Sequence, residues 1–336
     1  MTEPRKSDLS IYYKEKNISR NILGYLQSFT YEDSADGESD TVSVTLGDKT
    51  RKWTGSWMPE KGERITATIS VRNWNKNGDR RKLSCGEFVI DSLSASGEPL
   101  TVEIGAISGP VSSGFRETSR HKTWKKTNLK QIADKIAKRY KLKLYYDAGS
   151  IPIKEIEQSD NDSSFLDSIC ETYGLTMKAY KKKLVIYDRE RYKKKKAVLT
   201  IDRKTSAIES WSYSDTLAKR YTGGQLTYTN PKTDKDVKKT VGKKTTLLKL
   251  EDSADSAADA ERKIKAAVNK ENHDKTTMSL TMMGDTRITA GMCVNLKNWG
   301  SKISGKYYVN KAIHAIEGDN SGYTLSLELS KVVAGI

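Results

Sequence analysis

Two stretches of the chain, 219 positions apart, spell nearly the same sheet-forming pattern. The first is Gly86–Leu93 (GEFVIDSL), a polar break containing Gly97, then Leu100–Ile104 (LTVEI). The second is Gly305–Ile313 (GKYYVNKAI), a break containing Gly318 and Gly322, then Tyr323–Leu329 (YTLSLEL). Each is preceded by a further strand-like segment opening on glycine, Gly62–Ile69 and Gly291–Leu296. Alternation with glycine turns recurs in any antiparallel sheet. Here, however, the order glycine, strand, glycine, strand, turn, strand is kept in both copies. A chain carrying one β-module twice can build a ring from half as many subunits as the ring has modules. Gly62 to Gly86 spans 24 residues and Gly291 to Gly305 spans 14, so the first copy carries a longer hairpin. Its tip is Asn75–Arg80, with Asn77-Gly78 as a strong turn signal. Such an arm is expected to reach a neighbouring subunit or the layer above.

The period changes in the middle of the chain. Thr127 is expected to cap a helix over 128–140, with Leu129, Ile132, Ala133 and Ile136 on one stripe. Asp160–Asp162 precedes a second helix over 163–173, with Phe165, Leu166, Ile169 and Cys170 inward and Gly174 ending it. Residues 175–180 and 184–187 read as a hairpin around lysines 181–183. Strands return from Ala197, and the alanine-rich stretch 253–270 predicts a helix, acidic at its start and basic at its end. Near the N-terminus, Asp33–Asp40 reads as a polar loop before the alternating strand Thr41–Leu46. Trp53, Trp57 and Pro59 mark a turn-rich segment whose indoles should cover one end of a sheet. The reading is a mainly β protein with an α+β insert: a first β-domain over 1–112, a basic α+β domain over 113–197 and a second β-domain over 198–336, with boundaries that can be discontinuous.

The net charge is +16, and residues 116–196 carry 22 Lys or Arg against 11 Asp or Glu. A basic domain can bind phosphates without reading sequence, cover itself with solvated lysines, or face an acidic partner. Tyr140, Tyr145, Tyr146, Tyr180, Tyr187 and Tyr192 lie among these lysines, but most alternate as core positions of strands do. The charged N-terminal segment predicts no signal peptide, and no apolar run reaches membrane-spanning length, so no membrane anchor is expected. Cys85, Cys170 and Cys293 lack CxxC spacing, which argues against a zinc site or a disulfide framework.

No catalytic constellation emerges, and no cofactor or metal is expected. His121, His273 and His314 have no ligand spacing, and His314, within a strand, is expected at an edge or interface. Ser112, Ser113 and Gly114 form no GxSxG elbow, and Gly105–Gly109 lacks the Lys-Ser or Lys-Thr of a phosphate loop. Asp160–Asp162 lacks the glycine and terminal glutamate of a calcium loop. The acids Glu155, Glu157, Asp160, Asp162 and Asp167 flank a helix start, where paired glycosidase carboxylates would need a cleft.

In combination these segments resemble the tail hub proteins of contractile phages and phage-tail-like particles, the late control protein D family. Trp53-x-Gly-Ser-Trp57-x-Pro59-x-x-Gly62 is similar to the Gram-positive, defective-prophage branch. Asp160 through Phe165-Leu166 to Tyr173-Gly-Leu resembles the middle domain. The alanine-rich helix followed by Gly284-Asp, Ala290-Gly291-Met, Gly305-Lys-Tyr307-Tyr-Val and His314 resembles the C-terminal signature. The chain departs in its lysine content and shows no appended lysozyme or peptidase domain. The resemblance implies a non-enzymatic baseplate hub: a homotrimer whose paired tube-like β-barrel or sandwich domains make a pseudo-sixfold ring between a hexameric tail tube and a trimeric spike. Implied partners are the tail tube protein, the spike protein, baseplate wedge proteins and the tape-measure protein, with no sequence-specific nucleic acid. It also implies assembly in the bacterial cytoplasm and incorporation into a virion or tail-like bacteriocin. The competing readings are a tail-associated cell-wall hydrolase and a basic nucleic-acid-binding protein.

Overall fold

The computed structural model describes residues 4–35, 37, 39–109, 114–180, 182–230, 233–318 and 322–336. Ser112, Ser113 and Lys181, named above, lie outside the described residues, as does part of the second polar break. The chain opens with β1 (Lys6–Tyr13), β2 (Lys16–Asn17), α1 (Ser19–Leu23), β3 (Leu26–Ser34), β4 (Thr41–Gly47), β5 (Arg64–Arg72), β6 (Arg80–Ser96) and β7 (Thr101–Ile107). The middle contains α2 (Gly114–Glu117), β8 (Lys122–Asn128), α3 (Leu129–Arg139), β9 (Lys143–Asp147), β10 (Pro152–Gln158), α4 (Asp162–Thr172), β11 (Leu175–Tyr180), β12 (Lys183–Asp188) and α5 (Arg189–Lys194). The remainder holds β13 (Thr200–Asp202), β14 (Ile208–Asp215), β15 (Gly223–Asn230), β16 (Lys235–Gly242), β17 (Leu247–Leu250), α6 (Ala257–His273), β18 (Thr276–Met283), β19 (Cys293–Lys297), β20 (Gly305–Glu317) and β21 (Tyr323–Lys331).

The described residues form four larger cores and a small cluster of Ala35, Cys293 and Tyr308, in a mainly β protein as the sequence predicts. Alternate residues of β1 and β3 to β7, among them Ile11, Phe29, Val44, Ile69, Phe88 and Ile104, meet in a single core. Strands far apart in the sheet, such as β1 and β3, line the same interior, so the sheet curls around it. A second such core gathers Ile201, Leu280, Val294, Tyr307, Val309 and Leu327 from β13 and β18 to β21. The middle domain packs α3 and α4 on its short sheets through Leu129, Ile136, Leu166, Ile169 and Ile186. Finally, α6 lies on β15–β17 through Ile264 and Val268 against Leu226 and Tyr228. This last unit interrupts the second barrel between β14 and β18, so that barrel is discontinuous in sequence.

The duplication extends beyond the segments that first show it. The order β3-β4-β7-β6-β5 in the first barrel is matched by β14-β18-β21-β20-β19 in the second. Gly62 donates its N–H to Ile90 at 2.8 Å, and Gly291 donates its own to Val309 at 2.9 Å. A bulge falls between Ile90 and Ser92 on β6 and between Val309 and Lys311 on β20. Another falls between Leu26 and Ser28 on β3 and between Ile208 and Ser210 on β14. Bulges are specific local devices, so two in matching places mark common construction rather than generic alternation. Gly86, inside β6 at the bulge opposite Ala67, and Gly305, at the entry of β20, both take positive φ, at 121° and 137°, which favours glycine at each.

The extra residues of the first copy are the hairpin extension that pairs Thr68–Arg72 with Ser84–Arg80. Its arm is held within the chain: β1 covers β5 from Lys6↔Arg72 to Tyr13↔Ile65. Trp74 is buried, donates its indole N–H to Gly284 O at 2.5 Å and stands 5.5 Å from the Tyr323 ring. The tip Asn75–Gly78 faces solvent, as do Arg72, Arg80–Lys82 and Ser84 along the arm.

Local expectations shift where a different side chain wins the cap. Asn128, rather than Thr127, caps α3 by accepting the Gln131 N–H at 2.9 Å. Asn161 does the same for α4, and Gly174 follows the helix at φ +69°. Ser256 accepts the Asp259 N–H, so α6 starts at Ala257 and runs to His273, displaced from the expected 253–270. β16 and the β8–β10 pair, rich in Lys, Thr and Glu, have too little apolar alternation to be read in advance.

Candidate functional site

The two barrels are fused edge to edge. β20 pairs antiparallel with β3 from Lys311↔Ser34 to Glu317↔Ser28, making one continuous sheet. At its centre His314 is fully buried, its ring stacked 5.8 Å from Tyr31 and 5.9 Å from Tyr323. Its Nδ1 lies 2.7 Å from the Tyr323 hydroxyl. Burial lowers the imidazole pKa to about 4 and raises the phenol well above its usual value, so both groups are neutral near pH 7. His314 therefore sits at an interface, but one between two barrels of the same chain. Gly284 must stay small here, because a Cβ would fall 2.3 Å from the Tyr323 ring.

Asp33, on β3, ties three units together. Its Oδ1 accepts from Lys178 Nζ of the middle domain at 2.8 Å, and its Oδ2 accepts from the Ala290 N–H of the second barrel at 2.9 Å. Lys178 also donates to Asp40 Oδ1 at 2.8 Å and to Ser34 O at 2.9 Å. Burial pushes the Asp40 carboxyl up to about 7, against the pull of Lys178. The lysine is raised in turn, because its two carboxylates outweigh its own desolvation. Within the segment expected to be a polar loop, Asp33, Ser34, Ala35 and Asp40 are buried and form an anchor, while Asp36 and Glu38 lie outside the described residues. Acids at a chain reversal read as solvated, and the distant Lys178 that buries them leaves no local signal.

A second anchor forms around the β20 bulge. Asn310 Oδ1 lies 2.9 Å from His273 Nε2 on α6, and Asn310 Nδ2 donates to Ser330 Oγ at 2.7 Å. The Tyr187 and Tyr308 hydroxyls meet at 3.0 Å, and Tyr187 also donates to Ala35 O at 3.2 Å. Tyr173 donates to Asp259 Oδ1 at 2.9 Å, bridging α4 and α6. A cleft of about 720 Å³ remains between the middle domain and α6, lined by both charge signs, including Asp167, Glu171, Arg262 and Lys270.

The remaining candidate residues serve packing. Phe165 and Leu166 fill the middle core, and Tyr307 is buried and donates to Ile303 O at 2.7 Å. Gly291 and Gly305 enter β19 and β20, as Gly62 and Gly86 enter β5 and the matching part of β6. Trp53 is buried at the end of the first barrel, edge-on to Tyr25 and Trp57, whereas Trp57 is 38% exposed and Pro59 half-buried. Part of the basic segment is ion-paired: Arg120 and Arg139 reach Asp162, Arg191 reaches Asp147, and Lys193 reaches Glu190. Among its tyrosines only Tyr145 is exposed. Among the described residues no three His, Cys, Asp or Glu side chains come together as metal ligands would. No described helix is long and apolar enough to cross a membrane.

This duplicated, edge-fused architecture is the fold of phage tail proteins. The tail protein from Neisseria meningitidis superposes with a TM-score of 0.71 at 13% identity, covering 97% of each chain. The 43 kDa tail protein of prophage MuSo2 from Shewanella oneidensis gives 0.70 at 12%, covering 96% of this chain and 98% of that one. The prophage tail protein gp18 from Listeria monocytogenes gives 0.62 at 13%, covering 97% and 94%. Residues 116–330 match the YQBQ-like family, and the chain belongs to it. No curated protein matches the chain in sequence.

Proposed function

We propose that this chain is the structural hub of a contractile phage tail baseplate or of a tail-like particle. Three copies form a pseudo-sixfold ring, one face continuing a hexameric tail tube and the other receiving a trimeric spike. The observation that carries this reading is the repeat: two barrels of matching strand order and matching bulges, joined edge to edge in one chain. Three such chains present six similar positions, which is what a sixfold tube demands of a threefold cap. In this reading the domains at 1–112 and 198–336 supply the two ring positions, with the α6 unit inserted in the second and the middle domain between them. Wedge and tape-measure proteins are the further partners of this assembly. The role is non-enzymatic: two of the acids flanking the α4 start are held structurally, Asp162 by Arg120, Arg139 and Tyr140, and Glu155 by Lys125. Assembly in the cytoplasm and release within the particle follow from that role.

Light scattering of the purified protein, with mass measurement in assembled particles, tests the reading. A trimer is expected, and a monomer within assembled particles would sink it.

A further inference from the structure

The intrachain seam joins β3 of the first barrel to the Lys311–Glu317 part of β20 in the second. Each of these edges has a counterpart elsewhere in the chain. Matched bulges and ladders align β3 with β14, Phe29 with Trp211 and Tyr31 with Tyr213. The same comparison aligns Lys311–Ala315 of β20 with Ser92–Ser96 of β6. Among the described residues both counterparts are free: β14 pairs only with β18, and Ser92–Ser96 pairs only with β7.

The surfaces at these edges match what the seam covers. Phe29 and Tyr31 are 0% and 1% exposed in the seam, whereas Trp211 is 44% exposed and Tyr213 half-buried. Ser92–Ser96 reads Ser-Leu-Ser-Ala-Ser, almost wholly exposed and without charge or proline, in a chain that is 30% charged. Free edges are normally blunted by lysine, proline or a bulge within them, because an open ladder recruits other strands. An edge left so plain is one that a partner strand covers.

We propose that β14 of one copy pairs antiparallel with Ser92–Ser96 of the next copy, in the register the β3–β20 seam uses within the chain. Ile313 stands opposite Glu32 in that seam, so Ser94 stands opposite Ser214 between copies. The contact is head-to-tail, and such contacts close into rings when the rotation allows. The ring then alternates three seams within chains and three between them. This inference rests on the trimeric reading and names the contact that builds it.

Mixing chains carrying Ser94→Cys with chains carrying Ser214→Cys under mild oxidation tests the register. Paired Cα atoms in a ladder lie about 4.5–5.5 Å apart, within disulfide reach. A covalent dimer is expected from the mixture and from neither variant alone, and a covalent trimer from the doubly substituted chain. Trp211→Arg, at a position exposed in the single chain, should weaken self-association on the order of tenfold without unfolding the protein. A trimer by light scattering that gives no cross-link, or cross-links equally well through Ser210→Cys, overturns this seam and leaves the trimer standing. A monomer that gives no cross-link overturns both.

Discussion

Asp33 shows how one side chain can hold three units, since its two oxygens answer a lysine of the middle domain and a backbone N–H of the second barrel. Neutralising Asp33 leaves the buried Lys178 with Asp40 and Ser34 O alone, so the cost is expected below the roughly 3–5 kcal/mol of a fully stranded partner. Asp33→Asn is therefore expected to lower the unfolding midpoint in thermal melts, whereas Asp8→Asn, at an exposed pair with Arg72, should change it little. His314 makes a pH-dependent contribution of definite sign. Its folded pKa of about 4 lies below the ordinary 6.5, so between these values the unfolded chain binds a proton that the folded one refuses. This contribution is complete above pH 6.5 and is lost as pH falls toward 4. In denaturant titrations across that window, His314→Gln should flatten the pH dependence by about 3 kcal/mol relative to the parent. Gly284→Ala should cost about 1–3 kcal/mol by driving a methyl into the Tyr323 ring.

The long β5–β6 hairpin combines two roles along its length. Its stem is an internal strut, covered by β1 and pinned through Trp74 to Gly284. Its tip, Asn77-Gly78, is exposed and projects beyond the strut, where it can touch a neighbour. Trp74→Ala is accordingly expected to cost about 3–5 kcal/mol, read as a shift in chemical denaturation. Shortening the tip between Trp74 and Asp79 should instead spare the melting temperature and weaken assembly. Unchanged assembly would remove the tip from the interface. The bulges act at the same level. At Asn310 the bulge frees a side chain to hold His273 of α6, while its counterpart Asp91 is exposed. One backbone device is thus kept in both barrels, and its outward residue is adapted to the different neighbours.

Across the whole chain, the α6 unit is an attachment rather than a prop for the barrels. It has its own core, and its ends meet where the Thr216 N–H donates to Lys275 O at 2.8 Å. Replacing Leu217–Asp274 by a short Gly-Ser linker should preserve the β-type circular dichroism spectrum and cooperative unfolding of the remainder, at reduced stability. Non-cooperative melting would show that the second barrel needs the unit to fold. The continuous sheet also fixes the mutual orientation of the two barrels, through β3 and β20, before any subunit meets another.

The duplication was legible because alternation and glycine placement are local: Gly62, Gly86, Gly291 and Gly305 mark their strands whatever the rest of the chain does. Likewise the helices at Leu129 and Asp162 follow from apolar stripes and nearby Asn or Asp residues, with caps misjudged by a residue or so. What local pattern could not carry was pairing at a distance. Asp33 and Asp40 look like loop acids until Lys178 reaches them, and Trp74 looks like part of an arm until Gly284 and Tyr323 receive it. Ser92–Ser96 looks unremarkable until its counterpart in β20 is found bonded to β3. Side-chain periodicity is a property of a few consecutive residues, and the amino-acid order specifies it directly. Which edges meet, and which charges are buried, depends on free energies summed over segments hundreds of residues apart, and those are settled when the sheets close.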